Sequence, residues 1–535
     1  MIPKVIGNDA ELGNCIIGNT ASDRTYDTAA RTLLRQFDGV RDYSAPARRS
    51  SVYPYSQIPL AYEYGDDVDE YDDVAPYYRS YYNVQDYGRK YLPSNGGCVY
   101  IDMSHLEVCT PEVRSAFDYL RYWKAMLMHV AEKRVAAEET LPAGQQLVVL
   151  ANNSDGFGNA YGNHLNFSME RAAFDNLIYR KPMHMLFLAS YQASSVVLTG
   201  QGKVGAENRR PAVPYQLSQR ADFFEAMSSL CTTAHRGIVN TRDEALCGNR
   251  SHEMARLHCI FYDANLQDVA NVLKVGCMQI VLAMLEAGNR VLPLRALLDD
   301  PVSACWQWSH DTTLTQTMET VTGDLCTALD IQRHVCDAAQ AFVESGGCDG
   351  IVPDAAHIVA LWRDTLDKLV AGDFGALVGR LDWVLKWAII ERATAQHPDA
   401  DWSLTAKHLD HQYSRIGDDG LYHAYAQAGA VERLVSDEEV WRAMCAPPDD
   451  TRAWGRAHLL RAATDGEITS CDWDKLTAGA RTVYLDSPLD FTRAGCAHCF
   501  TDGRSLAASV DALMAAYPVA GETRTPQYTE RGTRQ

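Results

Sequence analysis

The side chains in this sequence that could do chemistry are carboxylates and imidazoles, which lie in short motifs along the first half of the chain. Asp9 and Glu11 are two residues apart, so on a strand they would face the same side. Asp102 and Glu107 flank a short segment that would bend between them and that contains His105. Oxygen-rich clusters of this kind bind Mg²⁺. These spacings therefore predict a divalent metal site built on strands.

Two histidines and two arginines extend this pattern. His164 and His258 could complete a second metal position. Arg220 and Arg242 could clamp phosphate oxygens in a bidentate manner, or they could form surface ion pairs. Taken singly, a strand histidine is often a hydrogen-bonded core residue, and a pair of acids on a strand is often a solvated face. The complete set predicts an enzyme site that holds a divalent metal together with a polyphosphate.

The composition limits the possible partners. The chain has 535 residues, of which 47% are hydrophobic, so it can bury a large core and form more than one domain. The net charge of -20 disfavours nucleic acid, because an acidic surface repels phosphate backbones. It would suit a basic protein or peptide, or it could be the ordinary acidity of a bacterial cytosolic protein. The sequence predicts no particular oligomeric state.

The cellular location is expected to be the cytoplasm. The first residues show no basic region followed by an apolar stretch, which a secretory signal would require. The longest apolar run, at 275–285, is too short to span a bilayer, so no membrane association is expected. The fifteen cysteines are scattered and are expected to be reduced thiols.

Residues 40–95 differ in composition from the rest of the chain. Eleven tyrosines lie between positions 53 and 91, seven acids lie between 63 and 73, and aliphatic residues are sparse. This composition predicts a long loop or a partly ordered insertion. It could be a solvated linker, or a lid or partner-binding flap in which tyrosine supplies contact area at low entropic cost.

The remaining sequence predicts an α+β fold in which an antiparallel sheet is packed by helices. A strand followed by a tight return is predicted at 1–18. Further strands are predicted at 98–104, 146–152, 164–169, 185–189, 194–199, 255–262 and 481–485. The predicted helices lie at 111–139, at 313–345, 355–371, 378–396 and 404–413, and in a segment that ends near 287 and is capped at 263–265. The predicted domains are a catalytic domain at 1–430 that contains the insertion, a small C-terminal domain at 431–522 and a flexible tail at 523–535.

Several common catalytic motifs are absent from the sequence. The glycine-rich segment 199–205 contains a lysine but lacks the G-K-[ST] of a phosphate loop, and no dinucleotide-binding fingerprint is present. No G-x-S-x-G motif occurs, and no catalytic serine or cysteine stands out. The acidic and histidine motifs therefore carry the functional prediction.

The ordered set of motifs resembles the family of Pup ligases and Pup deamidase/depupylases, which have a glutamine-synthetase-like fold. The family pattern G-[IV]-E-x-E-[YF]-G corresponds to 7–13, and N-G-A-R-x-Y-V-D-x-x-H-P-E-x-x-x-P-E corresponds to 95–112. Further matches follow in order at 152–155, 161–164, 216–222, 238–244, 256–265, 309–311, 381–384 and 447–453. Among the departures from the family pattern, Asp9 and Leu165 replace glutamates and Leu106 replaces a proline.

The resemblance implies a role for each candidate residue. Asp102 would be the central catalytic carboxylate, and Arg220 and Arg242 would hold the phosphates of ATP, or of ADP with phosphate. The ligands of Mg²⁺ would be five side chains, namely Asp9, Glu11, Glu107, His164 and His258. The expected substrate is a small protein modifier, or else a peptide or small-molecule carboxylate or amide.

The direction of the reaction is predicted from branch-specific features. More than eighty residues separate the first two motifs, and the segments 219–225, 412–414 and 420–422 look like the depupylase branch. The leading hypothesis is therefore a nucleotide- and Mg²⁺-dependent hydrolase of a side-chain amide or isopeptide bond. The alternatives are an ATP-dependent carboxylate–amine ligase and a non-catalytic binding protein, the latter suggested by Asp9 and Leu165.

Overall fold

The structure is a computed structural model that describes residues 1–18, 25–41, 87–397, 402–501 and 503–518. The predicted insertion at 40–95 lies outside the described residues except for its two ends, 40–41 and 87–95. The predicted tail at 523–535 also lies outside them.

Within the described residues the strands are short apart from the first and the seventh. In chain order they are β1 Ile6–Ile17, β2 Val40–Arg41, β3 Tyr87–Tyr91, β4 Cys98–Asp102, β5 His105–Cys109, β6 Gln146–Leu150, β7 Asn163–Glu170, β8 Lys203–Val204, β9 Tyr215–Gln216, β10 Phe224–Ser229, β11 Arg236–Asn240, β12 Met254–Cys259, β13 Met318–Glu319, β14 Leu325–Cys326, β15 Ile468–Asp472, β16 Lys475–Ala478 and β17 Arg481–Tyr484.

Strand β1 is the centre of the main sheet. The strand order is β12-β7-β1-β5-β4-β3-β2, and β6 pairs with the second half of β1. Every pairing in this sheet is antiparallel. Alternation along β1 buries Ala10 and Leu12 completely in the apolar core, while Asp9 and Glu11 point to the opposite face. At β1, one face of the sheet is therefore apolar and the other carries the acids.

The helices cover the apolar face of the sheet and make up most of the second half of the chain. Within the described residues they are α1 Thr25–Gln36, α2 Ala116–Glu138, α3 Arg171–Asp175, α4 Pro182–Ser194, α5 Val196–Thr199, α6 Asp268–Ala287, α7 Pro301–His310, α8 Ala328–Glu344, α9 Ala355–Val370, α10 Phe374–Leu377, α11 Asp382–Gln396, α12 Trp402–Tyr413, α13 Leu421–Gln427, α14 Asp437–Cys445, α15 Arg452–Ala462, α16 Arg493–Cys496 and α17 Leu506–Ala516.

Helix α6 is the central helix of the core. It contains the apolar run at 275–285 and is longer than that run, with 20 residues. Within the part of the chain that the structure describes, it is the one helix long and apolar enough to cross a membrane, and its apolar stretch is completely buried inside the protein. Helix α2, whose first turn is capped by the Ser115 side chain, packs against it.

The strands predicted at 185–189 and 194–199 are wrong, because these residues form helices α4 and α5. Almost every side chain in this stretch is buried, so the apolar residues show no helical stripe that could be told from a buried strand. Hydroxyl groups of Ser190 and Ser194 donate hydrogen bonds to carbonyls four residues earlier, which is a helical pattern.

Three other local predictions also differ from the structure. The first part of the helix predicted at 313–345 is the β13–β14 hairpin, and α8 begins only after a capping box formed by Thr327 and Asp330. The C-terminal region contains a three-stranded sheet, β15-β16-β17, rather than one strand. Asp263 does not cap α6, which begins at Asp268, because its carboxylate accepts hydrogen bonds from the 201–220 segment instead.

The C-terminal residues cover one edge of the main sheet. Apolar side chains between Trp454 and Leu513 form a second cluster that includes Tyr91, Cys98 and Cys109 of the sheet. Buried side chains at 431–444 belong to the main core. The domain division at 430 therefore stays a prediction.

Candidate active site

Strand register brings the predicted metal ligands together on the polar face of the sheet. Glu11 of β1 lies directly opposite Glu107 of β5, and Asp9 lies directly opposite His164 of β7. Side chains at directly opposed positions of antiparallel strands point to the same face and lie close together. His258 reaches the same face from β12, which is the neighbour of β7.

The candidate side chains form two groups. In the first, ligand atoms of Asp9, His164 and His258 all lie within 4.8 Å of one another. In the second, the same is true of Glu11, Asp102 and Glu107. We call these the histidine cluster and the carboxylate cluster. The mixed imidazole and carboxylate donors of the first and the oxygen donors of the second fit divalent cations.

Asp102 is presented by a tight hairpin between β4 and β5. It pairs with His105, and only Met103 and Ser104 lie between them, with φ values of 43° and 73°. Positive φ at both central residues is the geometry of the two-residue hairpin turn that usually contains glycine or asparagine. Methionine and serine are strained there, and such strain is tolerated where a site needs it. The turn fixes Asp102 at the wall of a cavity.

The carboxylate cluster is electrostatically unfavourable without a cation. Burial raises the pKa of Glu107 well above its ordinary value, and the charges of Asp102, Asp9 and Glu11 raise it further. The hydroxyl of Tyr100 donates a hydrogen bond to Glu107 Oε1 at 2.6 Å, which opposes this shift. Several acids that repel one another in a buried place are what a bound cation would stabilise.

The histidine cluster is held by neighbours on β7 and β12. Burial raises the pKa of Asp9, but the hydrogen bond and charge of His164 outweigh it, so the pKa lies below its ordinary value. Asn166 donates to Asp9 and accepts from Arg256 Nη1 at 2.7 Å. Burial and the charge of Arg256 lower the pKa of His258, which favours the neutral imidazole that a metal requires.

A cavity of about 710 Å³ adjoins the two clusters. Glu11, Asp102 and His164 line it, and so do two arginines, Arg220 and Arg236. Burial, with the nearby charge of Arg236, lowers the pKa of Arg220 to about 9. Two guanidinium groups next to a cluster of acids could hold an anion such as a phosphate.

The two predicted phosphate-binding arginines lie in different places. Arg220 lines the cavity, where Nε donates to the Ile260 carbonyl at 3.0 Å and Nη1 donates to the Tyr161 carbonyl. Arg242 lies instead near Glu244, with 4.0 Å between Nε and Oε1, and its charge lowers the pKa values of His258 and Arg256. Arg242 is thus a neighbour of the histidine cluster.

Sequence reasoning missed Arg236 and Asp263. Arg236 lies at the start of β11, six residues before Arg242 and in the same stretch of chain, so the motif could have drawn attention to it. Buried Asp263 accepts hydrogen bonds from the backbone N–H groups of Gln201 and Gln219 at 2.8 Å and thereby fixes the segment that carries Arg220. No local spacing indicates this role, because the partners are more than forty residues away.

Glycine is required at two places around the clusters. A Cβ atom at Gly162 would overlap the imidazole of His164, and one at Gly13 would overlap the Tyr161 hydroxyl. The Gly162 N–H also donates a hydrogen bond to Glu11 Oε2. These glycines let the backbone approach the site closely.

Two departures from the family pattern face away from the site. Leu106 and Leu165 are completely buried in the apolar core, because they alternate with residues of the polar face. His164 and Asn166, on either side of Leu165, point towards the histidine cluster.

Two ligand clusters and a cavity with arginines lie together on one face of the sheet. This arrangement is typical of an enzyme. The model of the family described as Pup-ligase protein matches residues 4–477, so the chain belongs to the Pup ligase family. This confirms the resemblance on which the sequence prediction was based.

Relatives with both activities are similar to the chain. A Pup--protein ligase of Acidimicrobium ferrooxidans is 35% identical over 431 residues, which cover 78% of this chain and 90% of the relative. A Pup deamidase/depupylase of Mycolicibacterium smegmatis is 34% identical over 387 residues, which cover 72% of this chain and 74% of the relative.

Solved structures confirm the α+β fold. The complex between Pup and its ligase PafA matches with a TM-score of 0.71 and 25% identity, and covers 97% of this chain and 93% of that one. The structure of PafA in complex with ADP matches with a TM-score of 0.66 and 28% identity, and covers 85% of this chain and 95% of that one.

Proposed function

We propose that the protein hydrolyses a side-chain amide or isopeptide bond in a nucleotide- and Mg²⁺-dependent reaction. The observation that carries this proposal is the place of Asp102, which lines the cavity and lies within 4.8 Å of ligand atoms of Glu11 and Glu107. A carboxylate at that place is next to cation ligands and open to a substrate.

The proposed cofactors are assigned to particular residues. The carboxylate cluster and the histidine cluster would each hold Mg²⁺, and Arg220 and Arg236 would hold nucleotide phosphate, with Arg242 close to the histidine cluster. When bound, Mg²⁺ supplies positive charge that stabilises an oxyanion. The relative solved with ADP supports the nucleotide part.

The chain's own residues perform the remaining steps. On one route Asp102 attacks the amide carbonyl carbon, the C–N bond breaks, and water then hydrolyses the anhydride formed between the acyl group and Asp102. On the other route Asp102 takes a proton from a water molecule that attacks the carbonyl carbon, and the C–N bond breaks without a covalent bond to the enzyme. The nitrogen leaves as ammonia or as a lysine amine after it takes up a proton. The products are that amine and a carboxylate, so the overall reaction consumes water. The strained hairpin keeps Asp102 in place, which reduces the entropic cost of reaching the reactive geometry.

The proposed substrate is a small protein modifier, and Pup itself is the candidate to test. Relatives of the chain are named Pup--protein ligase and Pup deamidase/depupylase. A solved relative is a complex of Pup with its ligase PafA. The protein has a net charge of -20, so long-range electrostatic attraction would favour only basic partners. Recognition of a conjugate is therefore expected to depend on specific contacts.

The test is hydrolysis of a Pup–lysine isopeptide conjugate and deamidation of a C-terminal glutamine, followed by mass spectrometry. Asp102→Asn should reduce the rate by about 10³-fold or more, since removal of a nucleophile or base has effects of that order. Asp437→Asn, an exposed acid in α14 that pairs with Arg433, is the matched control and should retain the wild-type rate. Full activity of Asp102→Asn would refute the proposal.

The second candidate is an ATP-dependent carboxylate–amine ligase. It is favoured by the relative from Acidimicrobium ferrooxidans, which is a ligase covered over 90% of its length. The two reactions differ in nucleotide turnover. Stoichiometric ATP consumption that depends on an amine acceptor selects the ligase, whereas cleavage of the conjugate with a non-hydrolysable ATP analogue selects the hydrolase.

A further inference from the structure

Arg89 of β3, the strand between β4 and the edge strand β2, lies near the carboxylate cluster without belonging to it. Strand β3 pairs with β4, and Tyr91 lies opposite Cys98. The Arg89 guanidinium carbon lies 4.1 Å from the centroid of the Tyr100 ring, and Nη1 lies 3.8 Å from Cys98 Sγ. The cation is therefore placed over the face of an aromatic ring that is only 7% exposed.

Tyr100 connects this cation to the cluster. It lies directly opposite Glu107 in the β4–β5 register, and its hydroxyl donates to Glu107 Oε1 at 2.6 Å. The other carboxylates near Glu107 repel it, so its orientation depends on this donor. A hydrogen bond to a ligand carboxylate fixes the ligand's orientation and raises its affinity for a metal.

These contacts form a chain from Arg89 through Tyr100 to Glu107. We propose that Arg89 is a positioning residue, which stacks on the Tyr100 ring and thereby holds its hydroxyl where it orients the Glu107 carboxylate towards Glu11 and Asp102. The attraction of a guanidinium for the ring face is strengthened at this place because the Tyr100 ring is buried, although Arg89 is itself partly exposed. The inference rests on the proposed function in one respect, since it takes the carboxylate cluster to be a Mg²⁺ site.

The test is a double-mutant cycle measured by Mg²⁺ binding. Isothermal titration of MgCl₂ into the full-length protein at saturating ADP gives the half-saturating Mg²⁺ concentration. Tyr100→Phe and Arg89→Met should each raise it by about tenfold, as expected when the hydrogen-bond partner of a metal ligand is lost. Because Arg89 acts through Tyr100, the double variant should be no worse than Tyr100→Phe alone.

Controls separate this role from a structural one. Arg210→Met removes another stacked arginine, whose guanidinium carbon lies 3.1 Å from the Trp306 ring centroid, and it should leave Mg²⁺ binding unchanged. Arg89→Lys keeps the charge and loses the planar stacking group, so it should restore binding only in part. Thermal unfolding identifies any variant that has lost its fold.

The outcomes distinguish the inference from the proposed function. If the wild-type protein at saturating ADP shows no saturable Mg²⁺ binding beyond that of ADP alone, the proposed metal site is wrong. If the wild type binds Mg²⁺ but Arg89→Met has the same half-saturating concentration, the positioning role is refuted. Independent effects of the two substitutions, which multiply in the double variant, would refute it as well.

Discussion

The buried carboxylate of Glu112 joins the segment between β5 and α2 to the C-terminal helix α15, and its removal should be costly. The side chain is about nine-tenths buried between two arginines. Arg452 Nε donates to Oε1 at 2.8 Å, and Arg456 Nη2 donates to Oε2 at 2.5 Å. Arg456 also donates to the Gly96 carbonyl, so the three side chains bind segments that are far apart in the chain.

The magnitude follows from the charge interactions. Although burial raises the pKa of Glu112, Arg456 and Arg452 lower it to about 2 from its ordinary value of 4.5. A lowering of this size corresponds to roughly 3 kcal/mol of folding free energy. Glu112→Gln should therefore lower the free energy of unfolding by ~3–5 kcal/mol, since it leaves two buried cations without a counter-charge.

A surface acid provides the matched control. Hydrogen bonds from Ser436 and Arg121 lower the pKa of Glu439, also to about 2, but its side chain is 37% exposed. Solvent screens such a pair, so Glu439→Gln should cost less than ~1 kcal/mol. The same pKa in two environments thus predicts different losses of stability.

The assay is urea unfolding followed by tryptophan fluorescence, first at pH 7 and then at decreasing pH. The folded-state pKa of Glu112 lies below the ordinary value, so its contribution is complete above about pH 4.5 and is lost as the pH falls towards 2. The wild type should approach the stability of Glu112→Gln over this range. Equal losses for Glu112→Gln and Glu439→Gln at pH 7 would refute the reasoning.

Three further predictions concern the core and the cavity. Burial lowers the pKa of Lys274 to about 7, so the free energy of unfolding should rise as the pH rises from 7 towards 10.5. Lys274→Met should flatten this rise, as measured by urea unfolding at pH 7 and 9. An equal rise in the wild type and the variant would contradict the prediction. Leu165→Glu should lower the free energy of unfolding by on the order of 3 kcal/mol without tightening Mg²⁺ binding, because the new acid enters the core. A stable variant that binds Mg²⁺ more tightly would show that the side chain faces the site. Arg236→Met should weaken ADP binding, measured by calorimetry, on the order of tenfold. Arg295 is exposed, and Arg295→Met should leave ADP binding unchanged. Equal ADP affinities of Arg236→Met and the wild type would exclude the phosphate role.

The parts of the fold that the sequence predicted are those with a local signal. Strand β1 shows polar and apolar alternation, and the amphipathic pattern at 111–139 predicted α2. The helix begins later than predicted, at Ala116, because the Ser115 hydroxyl caps its first turn. Helices α4 and α5 show no such signal, because nearly all of their side chains are buried and no polar face marks a helical period. The β13–β14 hairpin was missed although Gly323 has φ +82° and marks its turn.

The site was predictable to the extent that its residues lie in motifs. Glu11 and Glu107 are 96 positions apart and meet only through the β1–β5 register, which no spacing rule supplies. The motifs nevertheless predicted them as partners through the family resemblance. The roles of Asn166 and Arg236 are not predictable from local sequence, because they depend on contacts made only after folding. Asn166 donates a hydrogen bond to Asp9, and Arg236 lines the cavity.

The structure also bears on the alternative of a non-catalytic binding protein. That alternative was suggested by Leu165 and Asp9, where the family pattern has glutamates. Leu165 lies in the core, so its replacement of an acid removes no oxygen from the polar face of this chain. Asp9, although one methylene shorter than glutamate, accepts a hydrogen bond from Asn166 and lies 3.2 Å from His164 Nδ1. Its ligand oxygen stays within 4.8 Å of the ligand nitrogens of both cluster histidines, so neither departure removes a side chain from the clusters.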